Sequence, residues 1–226
     1  MIVRLGMAPR FPQRSFRGFL DHWRTSHADA VGKLPKLQRY IQFHAVLRDD
    51  HPLLPYPGFD ACSALSFESV EAMDDAFASE VFLGAIQADE REFADKTRFT
   101  GVIGEQQTRA GDPDDGPEGR VALVTLWRTV EGGDRDALVE RLTAEDAVAS
   151  GRAIDHAQII TDHAAHESRF PAACDIVDIR GYATPDDALA DLWLPGTTEL
   201  ERDLAGRGQA VARHLARPND VPVPAA

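Results

Sequence analysis

The chain has 226 residues, 43% of them hydrophobic and 8% aromatic, enough apolar content for one large domain or two small ones. Its formal net charge of −13 excludes nucleic acid and anionic membrane surfaces as partners, because both require clustered lysine and arginine. A small anionic substrate stays open, since the charge of a pocket can oppose that of the whole chain.

No apolar run approaches the roughly 20 residues of a membrane-spanning helix, and the first residues lack the basic-then-apolar layout of a secretory signal. Cys62 and Cys174 are too few for a disulfide framework or a zinc-type cluster. These features lead us to expect a soluble cytoplasmic protein that binds no metal.

In chain order, Ile2 to Met7 reads as a strand. Ser15 can cap a helix whose apolar stripe is Phe16, Phe19, Leu20 and Trp23, with His27 four residues further along the same face. Pro35 biases Leu34 towards extended structure. From Arg39 the pattern becomes strand-like, with Tyr40, Gln42 and His44 on one face and Ile41, Phe43 and Ala45 on the other. The proline-stiffened stretch from Arg48 to Gly58 carries Leu53, Leu54 and Tyr56, and reads either as a lid or as a loop pinned against the rest of the fold. Asp60 and Cys62 share a face of the next strand, from which either could project inward, and Ser69-Val70-Glu71-Ala72 reads as a helix start.

Residues 109–119 are rich in turn formers and read as a linker, after which the pattern restarts. Val121 to Trp127 reads as a strand, Asp134 to Leu142 as a helix, Ile154 to Thr161 as a strand, and Thr184-Pro185 as a helix start. Leu200 to Leu215 reads as helical, and Pro218 to Pro224 as a tail either frayed or laid over the surface. The expected fold class is therefore α+β: two tandem ferredoxin-like β-α-β-β-α-β halves, 1–108 and 120–217, packed sheet to sheet as an internal α+β barrel. Ten of the eleven phenylalanines, and the Trp23/His27 pair, precede the linker. That asymmetry places the working pocket in the first half and leaves the second as a degenerate partner, with a further homodimer open.

The spacing His22-Trp23-Arg24-x-x-His27, then Leu34-Pro35-x-Leu37-x-x-Tyr40-x-x-x-His44, with Phe67-x-Ser69-x-Glu71-Ala72, resembles the EthD family of the dimeric α+β barrel superfamily. The resemblance covers the first half closely and the second only in its order of elements. It implies the barrel fold and a small-molecule site, in a family associated with lactone isomerisation, polyketide tailoring and ether-degradation operons.

An imidazole moves protons in either direction at neutral pH, which makes His27 the candidate general acid/base, with a helix end favouring its charged form. Tyr40 is the candidate oxyanion donor and His44 the second acid/base or an orienting group. Trp23, Phe16 and Phe43 would shape an apolar cavity, and Arg24 could meet a carboxylate. Cys62 could be a nucleophile only if a neighbour lowered its pKa, and a packing role is the commoner case. His156, His163 and His166 lack the spacing and supporting carboxylates of a metal site.

The expected activity is a cofactor-independent isomerase or lyase acting on a small aromatic, lactone or other cyclic substrate. The alternatives are a haem-binding or oxygen-using oxidoreductase, which the superfamily resemblance implies, and a non-catalytic small-ligand-binding protein.

Overall fold

A computed structural model describes residues 1–112, 119–145 and 147–224, apart from the side chains of residues 149 and 150. Alternating apolar runs form eight long strands: Ile2–Ala8 (β1), Arg39–Ala45 (β2), Ala61–Phe67 (β3), Thr100–Ala110 (β4), Val121–Thr129 (β5), Asp155–Thr161 (β6), Ile176–Tyr182 (β7) and Gly208–Val221 (β8). They close into a barrel in the order β1-β3-β2-β8-β5-β7-β6-β4, every neighbouring pair antiparallel. Closure leaves the barrel no free edge. The four strands before residue 113 stand together as β4-β1-β3-β2, and the four after residue 118 as β8-β5-β7-β6. The chain is thus a mixed α+β protein built on an eight-stranded antiparallel barrel.

The seam between β4 and β6 requires a glycine. A Cβ at Gly104 would lie 2.1 Å from the carbonyl oxygen of Ile160. The two-residue period of the strands sends Val3, Leu5 and Met7, with Phe43, Cys62, Val124 and Val177, into one apolar cluster inside the barrel. Arg4, Gly6 and Ala8 on β1, and Tyr40, Gln42 and His44 on β2, take the opposite face, which the helices cover.

Ser15 does cap a helix, Phe16–His22 (α1), its Oγ accepting from the Gly18 amide at 3.1 Å. The helical run does not end at His27. It passes through one π turn, Trp23–His27, into Ala28–Val31 (α2) and stops at Gly32. His27 therefore sits inside a helical run and not at its end, so no helix terminus acts on its charge. Ser69 caps Val70–Phe77 (α3), and a second π turn, Phe82–Ile86, leads into Gln87–Phe93 (α4). In the second set, Asp134 caps Arg135–Thr143 and Thr184 caps Pro185–Asp191.

Three expectations of local structure are corrected. The helix expected from Leu200 to Leu215 is Pro195–Leu204 only; Gly206 and Gly208 interrupt it, and the alternation that follows is β8. Residues 218–221 are not frayed, because they pair with β2. Pro218 is tolerated there because β8 pairs with β5 only as far as Ala216, so the missing N–H faces no partner strand. Arg109 and Ala110, expected in the linker, extend β4. Linker residues 113–118, with the carboxylates of Asp114 and Asp115, lie outside the described residues, as do Ala225 and Ala226 of the tail. Among the described residues no helix is long and apolar enough to cross a membrane.

Candidate active site

A cleft of about 540 Å³, counted to its open mouth, lies between the helix-covered face of the first four strands and the helices above them. Both π turns border it, the first through Trp23 and His27 and the second through Phe82 and Ile86. A π turn inserts one extra residue and re-aims the side chains that follow, a device concentrated at functional sites. The floor is Arg4, Tyr40 and Ser63 from the sheet; Phe77, Phe93 and Phe99 add aromatic walls. The cleft belongs to the first half, as expected, but lies on the helix-covered face of its sheet and not in the barrel interior into which Cys62 projects.

His27 is buried, with its Nδ1 2.8 Å from Asp89 Oδ2. An ionised carboxylate only accepts, so Nδ1 donates, and in the neutral imidazole that leaves the lone pair on Nε2. No protein group among the described residues bonds Nε2. The second oxygen of Asp89 receives His22 Nε2 at 2.7 Å, and the rings of His22 and His27 both lie 4.8 Å from Phe93. Burial alone would raise the Asp89 pKa, but the bonds from the two imidazoles outweigh it and hold the carboxyl below its usual range. The result is a carboxylate-backed imidazole facing an apolar cleft.

Tyr40 lies at the floor, almost fully buried. Gln42 Nε2 donates to its hydroxyl at 2.8 Å and to the Trp23 carbonyl at 2.8 Å. Burial pushes the phenol well above its ordinary pKa, the bonds at Gln42 and Trp23 offsetting part of the rise. Tyr40 is therefore a protonated donor at any working pH. His44 shares its strand face but lies outside the cleft, its ring 4.5 Å from the Trp23 ring and its Nε2 donating to Gln42 Oε1 at 2.9 Å. That oxygen also accepts from Asn219 on β8 at 3.2 Å. His44 orients Gln42, which in turn fixes Tyr40 and Trp23.

This arrangement has a measurable pH consequence. The Nδ1 of His44 is buried without a partner, so protonation would create an unmatched N–H. Burial first, then the charges of Arg24 and His214, lower its pKa from 6.5 to about 4. A histidine held neutral in the fold but free to charge in the unfolded chain stabilises the fold above pH 6.5. That stability is lost as pH falls from 6.5 towards 4, on the order of 3 kcal/mol. The melting temperature should therefore drop by roughly 6–12 °C across that window on account of this group. His44→Gln, which keeps a donor towards Gln42, should flatten that limb; parallel melting curves for the two proteins would show His44 not to be the titrating group.

The other expected residues are dispersed. Phe43 and Cys62 point into the barrel, and burial raises the Cys62 thiol pKa, so it is packing and not a nucleophile. Cys174 joins the same interior cluster. Asp60 binds Arg10 Nη1 at 3.0 Å, the Arg10 amide at 2.9 Å and the Tyr56 hydroxyl at 3.2 Å, closing one end of the fold. Phe16 lies beside that junction with Pro55 and Phe59, away from the cleft. Arg24 is exposed. Leu53 and Leu54 pack against Val121, Leu123 and Tyr182 of the second set, so their loop is pinned and does not border the cleft.

His156, His163 and His166 each have separate partners. His156 Nε2 lies 2.7 Å from Asp178 and His163 Nε2 2.9 Å from Asp175, while His166 bonds Ile103 N and Phe170 O. Residues that the motif spacing does not mark complete the site: Arg4 and the pair Lys96–Glu90, at 2.7 Å, line the cleft, while Asp89 and Gln42 stand behind His27 and Tyr40.

Residues 12–97 match the EthD domain family, a span that contains Trp23, His27, Tyr40, Asp89 and Lys96. Solved structures share the fold across nearly the whole chain. An anthrone oxidase-like protein aligns with a TM-score of 0.62 at 10% identity, covering 97% of this chain and 92% of its own. A protein described as a "putative monooxygenase" from Fusobacterium nucleatum aligns at 0.59 and 8% identity, covering 98% and 92%. A protein described as a "putative chlorite dismutase" aligns at 0.55 and 13%, covering 97% and 95%. At such identities the likeness is one of fold. No curated protein gives a significant match to the chain.

Proposed function

We propose that the chain is an enzyme that binds a small aromatic or other cyclic molecule in this cleft and begins its chemistry by proton transfer at His27. The observation that carries this reading is the His27–Asp89 pair facing an aromatic cleft, with Tyr40 locked as a donor beside it. Asp89 fixes the imidazole tautomer, so Nε2 accepts a proton from an activated C–H or O–H. Asp89 then stabilises the imidazolium, while the Tyr40 hydroxyl donates to the oxyanion that develops.

Two fates of that anion are consistent with the site. Reprotonation or expulsion of a leaving group would make an isomerase or lyase, for which the names of the structural relatives give no support. Transfer of its electrons to molecular oxygen would make an oxidase or monooxygenase, towards which the names of two of those relatives lean. Oxygen uptake during turnover separates the two.

For the haem reading, His27 Nε2 is the cleft imidazole that could ligate iron, since His44 is bonded to Gln42 outside the cleft. A Soret band in the purified protein would favour that reading and its absence would count against it. We further infer that residues 1–108 and 120–217 are fused ferredoxin-like units, because each set of strands has the spatial order fourth, first, third, second.

A thermal-shift screen of lactones, phenolic acids and quinones tests the site. Ligand at 100 times its Kd adds ~2.7 kcal/mol, which for a chain of this length raises the melting temperature by roughly 5–10 °C. The shift should shrink in Tyr40→Phe. Shifts that persist unchanged in that variant would remove Tyr40 from the site.

A further inference from the structure

We propose that Arg4 is the anion-recognition residue of the cleft, so that the substrate is a small aromatic carboxylate whose carboxylate pairs with this guanidinium. This rests on the cleft being the substrate site. Arg4 comes from the middle of β1, on the face opposite Val3 and Leu5. Its guanidinium carbon lies 4.1 Å from the centre of the Phe77 ring, 5.0 Å from Phe99 and 5.4 Å from Phe170. Cation–π contact of this kind offsets part of the charge and supplies no hydrogen-bond acceptor oxygen, which leaves that role to a ligand.

Among the described residues no carboxylate lies within ion-pair distance of Arg4, and no hydrogen bond engages its donors. The acid that acts on it electrostatically, Glu90, is bonded to Lys96 at 2.7 Å. Burial lowers the Arg4 pKa to about 10, the nearby Glu90 charge offsetting part of the fall, so the group remains cationic at neutral pH with no ion pair or hydrogen bond from the described residues. An unpaired cation is costly in such a place unless an anion arrives to meet it.

The charges lining the cleft are Arg4 and Lys96 against Glu90, a surplus of one positive charge in a chain of net charge −13. One free guanidinium fork matches a monoanionic carboxylate in bidentate geometry. The rings of Trp23, Phe82 and Phe93 provide the surface for the aromatic body.

The test is calorimetric titration of the full chain at pH 7 with benzoates, hydroxybenzoates and naphthoates, each against its uncharged carboxamide. At least one acid should bind wild type roughly 30-fold or more tightly than its amide. Arg4→Gln should erase that preference while leaving amide binding in place, and Arg4→Lys should restore part of it. Equal binding of acid and amide to wild type overturns the role of Arg4 and leaves the cleft as the site. Loss of both ligands together in an Arg4→Gln protein that melts at the wild-type temperature also overturns it, because the side chain would then only shape the wall. If Arg4→Gln fails to fold, the comparison on wild type decides. If neither acids nor amides bind wild type, the cleft is not the site, and the proposal falls with it.

Discussion

Replacing His27 by alanine should lower kcat/KM by about 10²–10⁴-fold on whatever substrate the enzyme turns over, the usual contribution of a positioned acid/base. The fold should survive, because His27 makes one side-chain hydrogen bond and the helix runs through its position. Asp89→Asn should also impair turnover, since an amide can present either N–H or C=O to Nδ1 and no longer dictates which nitrogen holds the proton. His22→Ala is the control. It removes the second imidazole from the same carboxylate but does not line the cleft, so activity should fall little. Unchanged kcat/KM in His27→Ala would end the acid/base reading, whatever ligands the cleft binds.

The sequence carried the fold further than the site. Strand periodicity and capping residues marked most elements, and Trp23, His27 and Tyr40 do converge as their spacing suggests. Periodicity assigns side chains to faces of a strand, but it does not say which face meets the helices and which meets the barrel interior. The period already separates Phe43 from Tyr40 on β2, but only the structure shows that the Tyr40 face borders the cleft while Phe43 and Cys62 point to the opposite side of the sheet. Nor does a shared face guarantee a shared cavity: Trp23 lies between His44 and the cleft.

Asp89 was hidden for a different reason. It is 62 residues from His27 and sits in Gln87-Ala88-Asp89-Glu90-Arg91-Glu92, a run that reads as a solvated helix face. Arg4 did leave a signal, a charge in the middle of a strand otherwise written in apolar residues. A cation at such a position needs a partner, and that is a reason to look for a site.

The second set of strands shows what the equivalent position becomes without a cleft of that size. Gln42 pairs across the sheet with Ser63, and Gln158 with Asp178; Gln42 donates to the Trp23 carbonyl and Gln158 to the Leu142 carbonyl. By this register Asp178 stands where Ser63 does. Its carboxylate accepts from His156 Nε2 at 2.7 Å, Gln158 Nε2 at 2.8 Å and Arg180 Nε at 2.7 Å, while Arg180 reaches on to Asp191, which accepts from the Tyr182 hydroxyl. Burial would raise the Asp178 pKa, yet Arg180 and His156 hold it far below the carboxylate range. The remaining space there is about 310 Å³, its opening included.

Asp178→Ala would leave Arg180 buried without its main counter-charge and strand two further donors, a loss of roughly 3–5 kcal/mol. For a chain of this length that is a drop of roughly 6–20 °C in melting temperature. Turnover per folded molecule, measured well below the new midpoint, should stay near wild type, because none of these groups reaches the cleft at His27. The two replacements should thus separate: His27→Ala inactive and folded, Asp178→Ala active and unstable. An Asp178→Ala protein that keeps its melting temperature but loses activity would instead put chemistry in the second set of strands. The polar network there would then be a working site and not the filling of a vacated one.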